Sequence, residues 1–265
     1  MINMAWTNLL LVTSFLLVCE GSIRRRRTIE IINDAKPIMH TYVDKSIQYV
    51  DDELISLWND AWTNAGWDIK ILSWGDSIKH PEYTKYKIAL DDAGICCLPR
   101  QTYLRHLAMS TIPEGGFYSE VYVFPLHKVV SSISDGFELT NGFLPYDGSM
   151  TIYDGVIASV FSGNKSELDR ITSTLFSNLE KNAALSLQKI QSENPTLFNF
   201  RGDNMYDNII KSSDDVCEKS QSKFIIRFHT NELNHYGFQE QSRAYIVKRW
   251  YVLKCVFLHV FALIF

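Results

Sequence analysis

The sequence predicts one α/β domain, and three observations point to it. A short apolar, β-leaning run from Pro37 to Val43 is followed by a helical pattern over Asp51 to Thr63 and an alternating run from Trp67 to Trp74, the opening of a βαβ unit. The stretch from Cys97 to Leu126 reads as a helix, a turn at Pro113-Glu114-Gly115-Gly116, and a β-rich run from Phe117 to Phe124 stopped by Pro125. That run delivers Glu120 to a strand end, and in α/β folds ligands gather beyond the carboxyl ends of the strands. Finally, 265 residues, 46% hydrophobic and 21% charged, suffice for one sizeable core.

Composition narrows the function classes. A net charge of -4 argues against a polyanion-binding surface, so no nucleic-acid partner is expected. Five cysteines without a C-x-x-C spacing exclude a disulfide scaffold and make a structural zinc site a poor reading. Cys96 and Cys97 are adjacent and are not expected to pair easily with each other.

In chain order, Leu9 to Val18 is an apolar core of signal-peptide length, extendable back to Ala5 and followed by Gly21 and Ser22. Residues 1–22 therefore read as a signal peptide or membrane anchor and 23–35 as a basic linker, with a buried first helix as the alternative. This predicts a secretory-pathway protein: Golgi or ER lumen, membrane-anchored, or secreted. Arg24 to Arg27 follow the apolar run and no basic residue precedes it, a bias that favours a cytoplasmic downstream side, so orientation stays open. The globular domain spans 36–250. Leu54, Leu57, Trp58 and Trp62 fall at helical spacing behind Asp51 and Asp52, and Asn64-Ala65-Gly66 stops that helix. A second helix runs from Tyr83 to Leu90, with Asp91 and Asp92 as solvated turn carboxylates. The helix after Cys97 carries Tyr103, Leu104, Leu107, Ala108 and Met109 on its apolar side.

Beyond Leu126, Gly136 to Phe143 and Met150 to Phe161 read as β-rich runs joined by a surface turn that contains Asp147. Asn164-Lys165-Ser166 is a glycosylation acceptor triplet, relevant in the secretory pathway. One long helix is expected from Ser166 to Ser192, with Ser166-x-x-Asp169 as a variant capping box. A polar helix is expected over Asp203 to Lys219, then a strand from Lys223 to Thr230 that ends near His229. Tyr251 to Phe265 is an apolar tail, packed on the domain or lying at a membrane surface.

Arg105-x-Leu107-Ala108-Met109, followed by Gly115-Gly116-Phe117-x-Ser119-Glu120-x-Tyr122-Val123-x-Pro125-Leu126, resembles the sugar-nucleotide-binding segment of GT-A fold glycosyltransferases. It is most similar to the family 32-like group, which reads R-x-L-A-M, then G-G-aromatic-x-S-D-x-D-V-x-P-L. The region around Pro37 to His40 resembles that family's first strand, and Asn64 to Trp74 its N-P-G-W-E-x-x-x-W segment, so the resemblance covers roughly Pro37 to Gly163. It implies a mixed, mostly parallel sheet flanked by helices, a nucleotide-sugar donor, and a glycan or protein acceptor whose hydroxyl receives a hexose.

Site residues follow from the resemblance. His40 borders the nucleotide pocket. Arg105, Gly115, Gly116, Glu120 and Tyr122 line the donor site. The family's D-x-D carboxylates hold a divalent cation against the donor diphosphate, which makes Mn2+ or Mg2+ the expected cofactor, with Glu120 and His229 as its ligands here. Asp147 and Asp154 are the nearest carboxylates for a base toward the acceptor. The chain departs from the pattern at Glu120 and above all at Tyr122, whose neutral phenol is a poor ligand for a hard cation. Three readings therefore stand: an active transferase, with Arg105 or Arg100 supplying positive charge if no metal does; a catalytically impaired, transferase-like binding domain; and a secreted α/β protein unrelated to sugars.

Overall fold

The computed structural model describes residues 36–46, 52–126, 131–132, 138–139, 150–153, 158–193, 199–200, 205–208 and 225–228. The chain divides into Met1–Ala35 and Lys36–Phe265. The predicted N-terminal apolar segment, basic linker and C-terminal apolar tail lie outside the described residues. Among the described residues, no helix is long and apolar enough to cross a membrane.

The fold is mixed α/β with a mostly parallel open sheet. β1 (Ile38–Tyr42) pairs in parallel with both β2 (Asp68–Leu72) and β3 (Gly116–Ser119). β3 pairs antiparallel with β8 (Val160–Gly163), β8 antiparallel with β7 (Thr151–Ile152), and β7 parallel with β9 (Asn199–Phe200). The order is β2-β1-β3-β8-β7-β9. A second sheet joins β10 (Met205–Asn208), β11 (Ile225–Phe228) and β4 (Val123–Pro125), and Ser131–Ser132 (β5) pairs with Glu138–Leu139 (β6).

Alternation along β1 builds two cores, because successive side chains face opposite sides of a sheet. Met39 and Val43 join Phe117 beneath α1 (Asp52–Asn64), where Leu54, Trp58 and Trp62 are buried. Trp62 meets Trp67 edge-on at 5.5 Å between ring centroids, and Trp67 meets Phe117 at 5.1 Å, so aromatic contacts tie that helix to the sheet. Tyr42 and Tyr118 face the other layer. It holds α3 (Tyr83–Asp92), α4 (Cys97–Ser110), α5 (Lys165–Ser177) and α6 (Ala183–Glu193), preceded by the short α2 (Trp74–Ser77). In α4, Gln101 and every residue from Tyr103 to Ser110 is buried, because α2, α5 and α6 close around it on the sides the sheet leaves open.

Several expectations change. The single run from Phe117 to Phe124 is two strands in two sheets. The second ends at Pro125, its last residue, which lies opposite Ile225 on β11. Trp74 opens a helix instead of closing a strand. The long helix over Ser166 to Ser192 is broken into α5 and α6, because Asn178 leaves helical geometry and the Tyr103 hydroxyl occupies the gap, donating to Glu180 O at 2.9 Å and accepting from Glu180 N at 3.1 Å. The polar helix expected over Asp203 to Lys219 holds a strand instead, Met205–Asn208, because β11 offers it a parallel partner.

The cap of α5 is Asn164, not Ser166: its Oδ1 accepts from Glu167 N at 2.9 Å. Asn164→Ala is expected to cost about 1 kcal/mol, read as a lower urea midpoint, while Ser166→Ala is near neutral. The glycosylation triplet thus starts on a side chain already engaged in capping.

Candidate functional site at the carboxyl edge of the sheet

Strand order reverses at β1. The chain leaves β1 for β2 through α1 on one face and returns to β3, on the other side of β1, through α2, α3 and α4 on the opposite face. Connections that diverge this way leave a crevice beyond the carboxyl ends of the two strands. Asp44, just past β1, is buried there, and its Oδ1 accepts from Ser46 N at 3.0 Å and Ser46 Oγ at 2.6 Å. Glu120 follows β3 at the same edge.

Glu120 sits on a rigid turn. Its N–H donates to Ser159 O at 2.9 Å and its carbonyl accepts from Val123 N at 3.0 Å, closing a β-turn from Glu120 to Val123. Two tryptophans of α1 clamp the turn: Trp58 Nε1 donates to Ser119 Oγ at 3.2 Å and Trp62 Nε1 to Val123 O at 3.1 Å. Both were expected as packing residues, and their indole N–H groups fix the site as well.

The Glu120 carboxylate meets the Arg105 guanidinium of α4 in an ion pair, with the arginine side chain 4% exposed and the glutamate 30%. Burial by itself would lower the arginine's pKa, but Tyr118 and Glu120 beside it outweigh that and hold it above its ordinary value. The Tyr118 ring lies 5.3 Å from Arg105 Cζ, and burial pushes its phenol up while Arg105 pulls the other way. A second buried guanidinium reaches the same edge from β11, where Arg227 Nη1 donates to Ser159 Oγ at 3.4 Å.

Not every expected residue gathers here. Arg105 and Glu120 do. Arg100 does not: it bonds Asp91 Oδ1 at 2.6 Å and Ile95 O at 3.3 Å. His40 is buried in the middle of β1, its Nδ1–H donating to Phe117 O at 3.0 Å. Gly115 and Gly116 lie at the opposite end of β3 from Glu120, with Gly116 roughly 13 Å away at about 3.3 Å per residue. The bulky neighbour they admit is the protein itself. A Cβ on Gly116 would come within 2.9 Å of His40 Cε1, and one on Gly115 within 2.6 Å of Asn164 Cα. Asp147, Asp154 and His229 lie outside the described residues.

Of the two expected cation ligands, Glu120 and His229, only Glu120 lies among the described residues. Glu120 is engaged by a permanent cation on one face of the sheet, whereas Tyr122 packs against the tryptophan core on the other, so the two side chains do not converge. Among the described residues, no three His, Cys, Asp or Glu side chains cluster to hold a metal.

Two buried histidines add a pH signature. Burial lowers the His40 pKa to about 4, against its bond to Phe117. Burial, with Arg105 next to it, holds His106 well below its usual value. His106 stacks on Phe161 with ring centroids 4.9 Å apart. Both are neutral when folded and near pKa 6.5 when unfolded, so their contribution is fully present above pH 6.5 and is lost as pH falls below it, down to about 4 for His40. Stability should drop by about 1.4 kcal/mol per pH unit per histidine across that window. Urea midpoints at pH 7 and pH 5 measure it, and His40→Gln or His106→Gln should flatten the slope.

Asp44, Tyr118, His106 and Arg227 escaped the sequence reading. Asp44 was recoverable as the carboxylate just past the end of β1. Arg227 carried no signal, because only the pairing of β11 with β4 brings it to this edge.

No protein-family model matches the chain, and no curated protein matches it. Among solved structures, it is similar to the "crystal structure of a glycosyltransferase involved in the glycosylation of the major capsid of PBCV-1", with TM-score 0.41 and 11% identity over 76% of this chain and 99% of that one.

Proposed function

We propose that this chain is a glycosyltransferase-like protein that takes a nucleotide-sugar donor at the carboxyl edge between β1 and β3 and passes the sugar to a hydroxyl of a glycan or protein acceptor. The observation that carries the reading is the meeting of Arg105 with Glu120 at the point where strand order reverses. Arg105 orients the Glu120 side chain, and the partly exposed carboxylate is an acceptor for ligand hydroxyls. Sugar transfer leaves a diphosphate that gains negative charge, and fixed hydrogen-bond donors or cations at that position lower the barrier. In this reading those groups belong to the protein, and no step runs through a metal ion. The apolar run from Leu9 to Val18 supports a secretory-pathway setting.

A second reading, donor binding without turnover, is favoured by Tyr122 in place of a second carboxylate and by the engagement of Glu120 with Arg105. Calorimetric titration of the full chain with uridine and guanosine diphosphates and their glucose and mannose conjugates, in Mn2+ and in a chelator, tests both readings. Binding that survives the chelator and weakens about tenfold in Glu120→Gln is the expected result, since a hydrogen bond to a charged group is worth about 1.5 kcal/mol or more. Release of nucleoside diphosphate then separates transfer from binding alone. Absence of nucleotide binding in every condition rejects both.

A further inference from the structure

We propose that Cys96 and Cys97 form a redox-responsive vicinal dithiol that closes reversibly to a disulfide within the first turn of α4. Cys96 caps that helix with extended backbone, φ -121 and ψ 175, and Cys97 follows with φ 57, in the left-handed region that non-glycine residues seldom enter. This reversal sets the two sulfurs 3.2 Å apart, with the Cys97 thiol donating to Cys96 Sγ. Both cysteines are solvent-exposed, so an oxidant reaches them without any unfolding.

The pair is suited to a labile bond. Neighbouring Cα atoms across a trans peptide are about 3.8 Å apart, shorter than the roughly 4.4–6.8 Å that disulfides usually span. The closed ring is therefore strained, and strained, exposed disulfides have the more oxidising potentials of regulatory bonds. With the Cys97 thiol donating to it, Cys96 Sγ is the sulfur free to attack, and its nearness raises the Cys97 thiol's pKa.

With a small-molecule disulfide such as oxidised glutathione as oxidant, the Cys96 thiolate attacks one of its sulfurs and expels one glutathione thiolate. Cys97 then gives up its proton and attacks the Cys96 sulfur, expelling the second. Two protein thiols lose two electrons and two protons, and one glutathione disulfide becomes two glutathiones. From Tyr103 onward α4 is held by burial, so the change is confined to its exposed start. The inference is independent of the proposed function.

Trypsin isolates the test. Lys87 and Arg100 bound a peptide, Ile88 to Arg100, that contains both cysteines and no other. The full chain is incubated with oxidised glutathione, remaining thiols are alkylated, and the digest is weighed. The expected peptide is unalkylated and lighter than the dithiol by two hydrogens, and it becomes doubly alkylated when dithiothreitol precedes the alkylation. In Cys96→Ser the corresponding peptide carries one glutathione or one alkyl group. A doubly alkylated peptide after oxidation, one bearing glutathione on both cysteines, or one cross-linked to another cysteine peptide would overturn the proposal.

Discussion

Gly115→Ala is expected to lower stability by about 4 kcal/mol or to prevent folding, a large effect for a single methyl group. Two costs add. At φ +78 an L side chain sits in left-handed backbone, at about 1–2 kcal/mol. The new Cβ would also lie 2.6 Å from Asn164 Cα and 2.7 Å from Asn164 C, closer still to the Gly163 carbonyl. These are backbone atoms where β8 turns into α5, and they cannot move without displacing the strand that pairs with β3 or the helix that Asn164 caps. Gly94→Ala supplies the control. Gly94 has φ +65 but nothing within 4 Å of its Cβ position, so only the conformational cost, about 1 kcal/mol, is expected. Gly116→Ala falls between, since its closest neighbour is the His40 ring. Urea denaturation of the three variants should rank them in that order. Equal midpoints for Gly115→Ala and Gly94→Ala would show that β3 and the β8–α5 junction are not in contact.

Removing Glu120 is expected to destabilise the protein more than removing Arg105. Glu120→Ala removes the carboxylate paired with a guanidinium that is 4% exposed, and removing one partner of a buried ion pair typically costs about 3–5 kcal/mol. Because Glu120 is 30% exposed, water can enter the vacated space and screen part of that, so about 2 kcal/mol is expected. Arg105→Met removes the charge, retains comparable volume and leaves the glutamate free to turn to solvent, at about 1 kcal/mol including the lost contact with Tyr118. The asymmetry distinguishes a buried cation held by a surface carboxylate from a surface ion pair, for which both substitutions would be near neutral. Urea midpoints of Glu120→Ala, Glu120→Gln and Arg105→Met decide it, and a larger loss for Arg105→Met would refute the dependence.

Much of the fold was legible because local chemistry is strong. Period-2 and period-3.6 patterns marked β1, β2, α1, α3 and α4 to within a few residues, and the Asn64-Ala65-Gly66 stop ends α1 where expected. Where neighbours distant in sequence intervened, the reading changed. Nothing near Phe124 reveals that its strand belongs with β11, and nothing near Asn178 reveals that the Tyr103 hydroxyl waits at that gap. At the candidate site, the sequence brought Arg105 and Glu120 to notice but set both glycines against a ligand, whereas the structure sets His40 against Gly116 and the β8–α5 junction against Gly115.

By itself, then, the order of residues determined the elements and their buried sides, because burying an apolar stripe constrains positions three or four apart in a helix and alternate positions in a strand. Only the tertiary structure decided that the Glu120 carboxylate turns to Arg105 while Tyr122 turns to the tryptophan core, and that Trp58, Trp62 and Arg227 converge on the same turn. Those partnerships depend on which strands become neighbours and on which face each connection crosses. That choice is made by the packing of the whole domain and leaves no trace in the local pattern.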